Sequence, residues 1–162
     1  MPEIVVDSNV LVKWFVPEDY HEEAKALLRD HLHGRITAVA PRYALLEFAN
    51  TLRKYVARRL IDADKINTIY RLLLESAPKL IEEREEIVGR ALNYSMEKGV
   101  TVYDACYIVI AKELDTVVYT ADERVLKQLE GKERTIRHIR EYAKYDHHNA
   151  HSSESLECAN KR

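Results

Sequence analysis

The residues that could do chemistry in this chain are carboxylates placed against apolar structure. Asp7 directly follows the β-branched run Ile4-Val5-Val6. It therefore stands at the carboxyl end of a predicted strand, where ligands gather in open parallel sheets. The same residue also suits the N-cap of a helix starting near Ser8, a common place for Asp. Asp122 repeats the arrangement, following Thr116-Val117-Val118-Tyr119-Thr120 and opening a predicted helix, so it too reads as a cap when taken alone. Two strand-end acids from neighbouring central strands would converge on one crevice. Asp104 lies in Val102-Tyr103-Asp104-Ala105-Cys106-Tyr107-Ile108-Val109-Ile110-Ala111, apolar nearly all round and so a buried helix. A buried carboxylate needs a cation, a partner or a raised pKa; alternatively, a place in the first helical turn favours an acid through the helix dipole. Glu47 follows Pro41 by six residues, flanked by Leu45, Leu46 and Phe48. A lone helical Glu is ordinarily solvated, and its interest is that it completes a set of four with Asp7, Asp104 and Asp122.

Four acids with no Cys or His among them would suit a hard cation, Mg²⁺ or Mn²⁺, which keeps several waters and shares its shell with phosphate. Such a cation lowers the pKa of a bound water and braces the attacking and leaving oxygens of a phosphodiester. It also relieves the repulsion among clustered carboxylates, which otherwise forces a pKa upward.

Short apolar runs alternating with helical stretches must position these acids. Strands are predicted at 3–6, 37–40, 79–81 (weak), 116–120 and, as an edge, 135–139. Helices are predicted at 8–15, 19–32, 42–59, 62–75 with Asp62 as N-cap, 82–97 ending at Gly99, 102–114 and 122–129. In the 42–59 helix Leu45, Phe48, Leu52 and Tyr55 recur at steps of three and four. The 82–97 helix is expected to turn Ile87, Val88, Ala91 and Leu92 inward. The alternation predicts an α/β fold with three layers, α/β/α, around a mostly parallel sheet.

The 162 residues fit one domain. A hydrophobic share of 46% with 32% charged residues argues for a folded globular chain. A net charge of −2 excludes a generally basic protein, so any contact with nucleic acid must use a local patch. No apolar run approaches the ~20 residues of a membrane span, and the start, acidic by Glu3, does not resemble a signal peptide. Cys106 and Cys158 form neither a disulfide framework nor a zinc motif, which points to a reducing cytoplasm. Residues 145–162 are polar, with His147, His148 and His151 but no ligand spacing around them, and are expected to form a disordered tail to a domain spanning 1–144.

With these residues in view, the sequence resembles the PIN-domain ribonucleases, and within them the VapC toxins of prokaryotic toxin–antitoxin pairs. Four blocks carry the resemblance in order: Ile4-Val5-Val6-Asp7-Ser8-Asn9-Val10-Leu11-Val12-Lys13-Trp14-Phe15, Pro41-Arg42-Tyr43-Ala44-Leu45-Leu46-Glu47-Phe48-Ala49-Asn50, Val102-Tyr103-Asp104-Ala105-Cys106-Tyr107-Ile108 and Val118-Tyr119-Thr120-Ala121-Asp122-Glu123-Arg124-Val125-Leu126. The resemblance implies that Asp7, Glu47, Asp104 and Asp122 are both the metal ligands and the catalytic acids of a Mg²⁺- or Mn²⁺-dependent endoribonuclease. Thr120 would support them by a hydroxyl hydrogen bond, and Ser8 or Asn9 would hold the Asp7 loop. The implied substrate is RNA, tRNA or rRNA in this branch. The implied partners are a small VapB-like antitoxin and a second copy in a homodimer.

Arg53 and Lys54, with Arg58 and Arg59 further along the Glu47 helix, could grip phosphates or simply face solvent. Lys13 could touch phosphate or balance the acids. Tyr103, Tyr107 and Tyr119 could stack on bases, although core packing is the commoner role, and Cys106 reads as a small buried hydrophobe. Apolar surplus at 11–15 and 45–52 suggests a groove for an antitoxin helix. Two other readings stand beside the nuclease. One is a non-catalytic PIN-like module that binds RNA or protein, against which the presence of all four acids counts. The other is an aspartate-based phosphatase or phosphotransfer domain, which would want an acid where Asn9 stands.

Overall fold

Ile4-Val5-Val6 forms β1 (Glu3–Val6), with Val5 and Val6 fully buried in the middle of a five-stranded sheet. The computed structural model describes residues 1–142, so the polar stretch expected at 145–162 and the domain end at 144 lie outside the described residues. β1 is followed by α1 (Ser8–Lys13) and α2 (His21–Leu32), then by β2 (Thr37–Pro41) and α3 (Ala44–Ala57). A 3₁₀ turn (Ala63–Lys65) leads into α4 (Ile66–Ser76) and β3 (Lys79–Ile81). α5 (Glu85–Lys98), α6 (Val102–Glu113), β4 (Val118–Thr120), α7 (Glu123–Gln128) and β5 (Ile136–His138) complete the fold, with a last 3₁₀ turn at Ile139–Glu141.

All neighbouring strands pair in parallel, in the order β3-β2-β1-β4-β5. The chain runs outward from β1 to β3, then crosses back over β1 to β4 and β5. Parallel crossovers are right-handed, so this reversal sends α1–α4 to one face and α5–α7 to the other. The three-layer α/β/α architecture follows. The reversal also makes the gap between the ends of β1 and β4 a topological switch point, the place where open sheets bind ligands.

α6 explains its own sequence. Ala105 to Ala111 are all buried, because the helix lies between α5 and the strands β1, β2 and β4. Its first turn emerges at the carboxyl edge of the sheet, carrying Tyr103 and Asp104 out of the core. α5 ends at Gly99, where φ is +73° and a Cβ would come within 3.0 Å of the Gln128 side-chain amide, both of which favour glycine.

Several expectations need correction. Val88 and Leu92 are exposed; α5 buries only Ile87, Ala91 and Tyr94, since a helix packed against one neighbour covers a single stripe. The 116–120 strand begins only at Val118. Thr116 is still tied to the end of α6 by its N–H to the Ala111 carbonyl at 2.9 Å. Asp62 makes no side-chain cap, and α4 starts after the 3₁₀ turn. Tyr103 is exposed, not core, whereas Tyr107, Tyr119 and Cys106 are buried as expected.

Candidate active site

The Asp7 backbone N–H donates to the Tyr119 carbonyl at 3.0 Å, which locks the end of β1 to β4 at the switch point. Asp7 sits at the N-cap position of α1 but makes no side-chain cap bond, so its carboxylate is not spent on the helix. Its Oδ2 instead accepts from Thr120 Oγ1 at 2.8 Å and from Asn9 Nδ2 at 3.2 Å. Asn9 Oδ1 in turn accepts the Ala121 N–H at 3.0 Å, so one amide spans both strand ends. Ser8 Oγ donates to Asp7 Oδ1 at 3.4 Å. Thr120, fully buried at the end of β4, also accepts the Asp122 N–H at 3.0 Å.

The second acid arrives from a helix. α3 carries Glu47 in its first turn, and Tyr107 of α6 donates its hydroxyl proton to Glu47 Oε1 at 2.8 Å. The same hydroxyl accepts the Ser8 N–H at 3.2 Å, so one buried tyrosine joins the Glu47 carboxylate to the start of α1. In the first turn of α6, Asp104 Oδ2 accepts from Thr101 Oγ1 at 2.7 Å while the Asp104 N–H donates to that oxygen at 3.1 Å. Thr101 is thus the N-cap of α6, and its hydroxyl both accepts the Asp104 N–H and donates to the Asp104 carboxylate. Asp122 does serve as a cap, its Oδ1 accepting from the Arg124 and Val125 N–H groups at 3.0 and 3.3 Å. Its Oδ2 lies 3.7 Å from the Arg124 guanidinium, which also stands 3.8 Å from Asp104 Oδ2.

Electrostatics ties the set together. Burial raises the Asp7 carboxyl, the Thr120 hydrogen bond opposes that, and the charges of Glu47 and Asp104 add to it, leaving the group pushed up to about 7. Glu47 is raised by burial and by Asp104, against hydrogen bonds from Tyr107 and Ser8. Tyr107 is held well above the ordinary phenol range by burial, then by Asp7 and Glu47. Negative charge is thus concentrated where the fold brings Asp7, Glu47 and Asp104 together, with Arg124 connecting Asp104 to Asp122.

The donor set is all oxygen, which fits a hard divalent cation. Among the described residues, no three His, Cys, Asp or Glu side chains close into a ready ligand cluster. Each acid is instead occupied by a local donor: Thr120 and Asn9 for Asp7, Tyr107 for Glu47, Thr101 for Asp104 and the α7 amides for Asp122.

The basic residues are placed differently from the acids. Lys13 does not balance them; its Nζ pairs with Glu18 at 2.9 Å, and Glu18 also accepts from the Tyr55 hydroxyl at 2.6 Å. Arg53 and Lys54 lie exposed on α3, with Arg53 Nε donating to Asn50 Oδ1 at 3.3 Å. The apolar cleft in this region runs between α3 and α4, lined by Ala49, Leu52, Val56, Ile66 and Tyr70. Three residues that complete the site carried no role in the sequence reading: Tyr107 as the partner of Glu47, Thr101 and Arg124. Only the Thr101-Val102-Tyr103-Asp104 spacing, a capping-box signature, was open to discovery there.

Comparison with known proteins agrees with this fold. The family model described as PIN domain matches residues 4–132. Ribonuclease VapC3 of Pyrobaculum aerophilum is 27% identical over 129 residues, spanning 78% of this chain and 94% of that protein. Ribonuclease VapC1 of Mycobacterium tuberculosis is 28% identical over 127 residues, spanning 77% and 90%. Among solved structures, PAE2754 from Pyrobaculum aerophilum superposes with a TM-score of 0.62 at 20% identity, covering 86% of this chain and 92% of that one. A toxin–antitoxin complex from Klebsiella pneumoniae gives 0.58 at 16% identity, covering 84% and 97%.

Proposed function

Because the chain belongs to the PIN domain family, we propose that it is a metal-dependent endoribonuclease of the VapC toxin type, hydrolysing phosphodiester bonds in RNA. The observation that carries this reading is the Asp7 carboxylate at the switch point. It is partly buried, bypassed as a helix cap, and within electrostatic reach of Glu47 and Asp104. Such an arrangement costs stability and is retained where a cation and a substrate phosphate meet.

Asp7, Glu47, Asp104 and Asp122 would hold Mg²⁺ or Mn²⁺, which supplies a polarised water and charge for the phosphate oxygens. Thr120 and Asn9 fix one oxygen of Asp7 and thereby orient the other toward the crevice. Tyr107 does the same for Glu47. Arg124 offsets part of the repulsion between Asp104 and Asp122. Arg53 and Lys54 lie along α3 beyond Glu47, suited to successive phosphates of a single strand.

The relatives named as VapC ribonucleases and the Klebsiella toxin–antitoxin complex support an antitoxin partner for this chain. The α3–α4 cleft would take its apolar helix. VapC20 of Mycobacterium tuberculosis, described as a sarcin-ricin loop cleaving toxin, shares the fold with a TM-score of 0.58 at 14% identity; by analogy we take structured RNA, rRNA or tRNA, as the substrate class. The exposed row Val88, Leu92 and Met96 on α5 would be covered in a homodimer. We place the activity in the cytoplasm because its proposed substrate, RNA, is there.

The test is cleavage of total tRNA and of rRNA fragments with Mg²⁺, Mn²⁺ or EDTA, comparing the wild type with Asp7→Asn. Cutting that needs the cation and is lost in Asp7→Asn is expected. Undiminished cutting by a folded Asp7→Asn variant, or by the wild type in EDTA, would overturn the assignment.

A further inference from the structure

Tyr103 stands apart from the other tyrosines near the acids. Tyr107 and Tyr119 are 2% and 3% exposed, whereas Tyr103 is 62% exposed. It directly precedes Asp104, so its ring rises from the edge of the site. Its backbone is held in place, since the Tyr43 hydroxyl donates to the Tyr103 carbonyl at 2.5 Å. The Tyr43 and Tyr103 rings meet edge to face, with centroids 5.4 Å apart.

A single exposed aromatic needs no explanation; its neighbours supply one. Tyr103, Tyr43, Leu46, Glu47 and Asn50 line one open cleft of about 330 Å³. Leu46, 75% exposed, gives the cleft an aliphatic side to match its aromatic one. Glu47 belongs to the same lining, so whatever enters the cleft lies beside the candidate catalytic acids. An anionic group there meets Glu47, whose negative field Asp104 reinforces. A neutral planar ring meets no such opposition and gains contact with Tyr103 and Leu46. A single-stranded nucleic acid delivers such rings at every nucleotide, each next to a phosphate.

We propose that Tyr103 is a stacking platform for an unpaired nucleobase adjacent to the scissile phosphate, with Leu46 against the base and Asn50 at its edge. This rests on the nuclease reading above and adds to it a determinant of which strand conformation, and which base, is accepted. Because Tyr103 acts through its ring face, phenylalanine replaces it and alanine does not.

The experiment measures fluorescence anisotropy of labelled oligoadenylate and oligouridylate in the non-cutting Asp7→Asn background, and steady-state cleavage in the otherwise wild-type chain. Adenine stacks more strongly than uracil, so Asp7→Asn is expected to prefer oligoadenylate. Adding Tyr103→Ala should weaken that affinity about tenfold and level the two homopolymers, while Tyr103→Phe stays within about twofold. In cleavage, Tyr103→Ala should raise KM and spare kcat. If Tyr103→Ala binds and cuts like its parent while the parent is active, the stacking proposal alone fails. If the wild type neither binds nor cuts RNA, the nuclease reading falls and the platform with it.

Discussion

The Tyr107 hydroxyl donates to Glu47 Oε1 at 2.8 Å and accepts the Ser8 N–H at 3.2 Å, so helices from opposite faces of the sheet meet at one buried oxygen. Tyr107→Phe removes that oxygen and keeps the ring. It leaves the Ser8 N–H without this acceptor and raises the Glu47 carboxyl further, because one of the hydrogen bonds lowering it is gone. The expected loss is about 1–2 kcal/mol in denaturant unfolding, with RNA cleavage falling about tenfold or more. Wild-type cleavage in Tyr107→Phe would show that Glu47 does not depend on this contact for its position.

Asp7→Asn should stabilise the metal-free protein while it destroys activity. The folded carboxyl is pushed up to about 7 from an ordinary 3.8. Below 3.8 both states hold the proton and the group is silent. As pH rises toward 7 the unfolded chain ionises more readily, so the folded state loses stability, and above 7 the penalty is constant. Asparagine lacks the penalty and keeps an acceptor for Thr120. The gain in melting temperature in EDTA should therefore be small near pH 4, grow through pH 5 and 6 and level off above 7. A gain independent of pH would locate the effect elsewhere than in this ionisation.

Much of this arrangement is legible in the sequence, and the parts that are not share a cause. Val5-Val6-Asp7 and Thr120-Ala121-Asp122 betray strand ends because an acid interrupts a β-branched run, a local signal. Ala105 to Ala111 betrays a buried helix because it is apolar on every side. Whether Val88 or Ile87 faces the core is not local: adjacent stripes of α5 are both apolar, and only the packing of α6 chooses between them. Tyr103 and Tyr107 are likewise alike in type and one helical turn apart. The point where α6 leaves the core separates a buried partner of Glu47 from an exposed ring. Lys13 beside Asp7 invites a charge-balancing reading, and only the fold brings Glu18 to it instead.

Glu133 provides an acid-stability test away from the site. Burial raises its carboxyl, but Lys112 at 2.8 Å, the Tyr94 hydroxyl at 2.7 Å and the Thr135 N–H at 3.1 Å outweigh that and pull it down to about 2. A lowered carboxyl contributes stability that is present above its ordinary 4.5 and is lost as pH falls toward about 2. Glu133→Gln should cost about 1–3 kcal/mol at pH 7, and the gap to wild type should close between pH 4.5 and 2. A gap that persists at pH 2 would mean that the loss is one of packing.

Leu92→Lys tests the homodimer through the exposed α5 row. Leu92 lies between Val88 and Met96 on that face and is exposed in the single chain, so lysine there should leave the monomer's melting temperature nearly unchanged. Light scattering is expected to report a dimer for the wild type and a monomer for Leu92→Lys. A dimer of undiminished stability in Leu92→Lys would exclude this row from the interface.

The acids can be tested for cation binding without reference to activity. Mg²⁺ or Mn²⁺ bound to the folded state raises its melting temperature by mass action. In the double variant Asp104→Asn/Asp122→Asn the cap of α7 is kept through the new amide oxygen, since asparagine is as good a cap as aspartate. The fold should survive, but Arg124 loses the two carboxylates it stands 3.8 and 3.7 Å from. The metal-dependent rise should vanish in this variant, where only Asp7 and Glu47 remain, and return in part in each single one, which keeps three of the four carboxylates. Arg124→Met should act in the opposite sense. Without the guanidinium between them, Asp104 and Asp122 repel more strongly in the metal-free protein, so its melting temperature falls while the rise on adding metal becomes larger. A double variant that responds to metal as the wild type does would move the cation away from these residues.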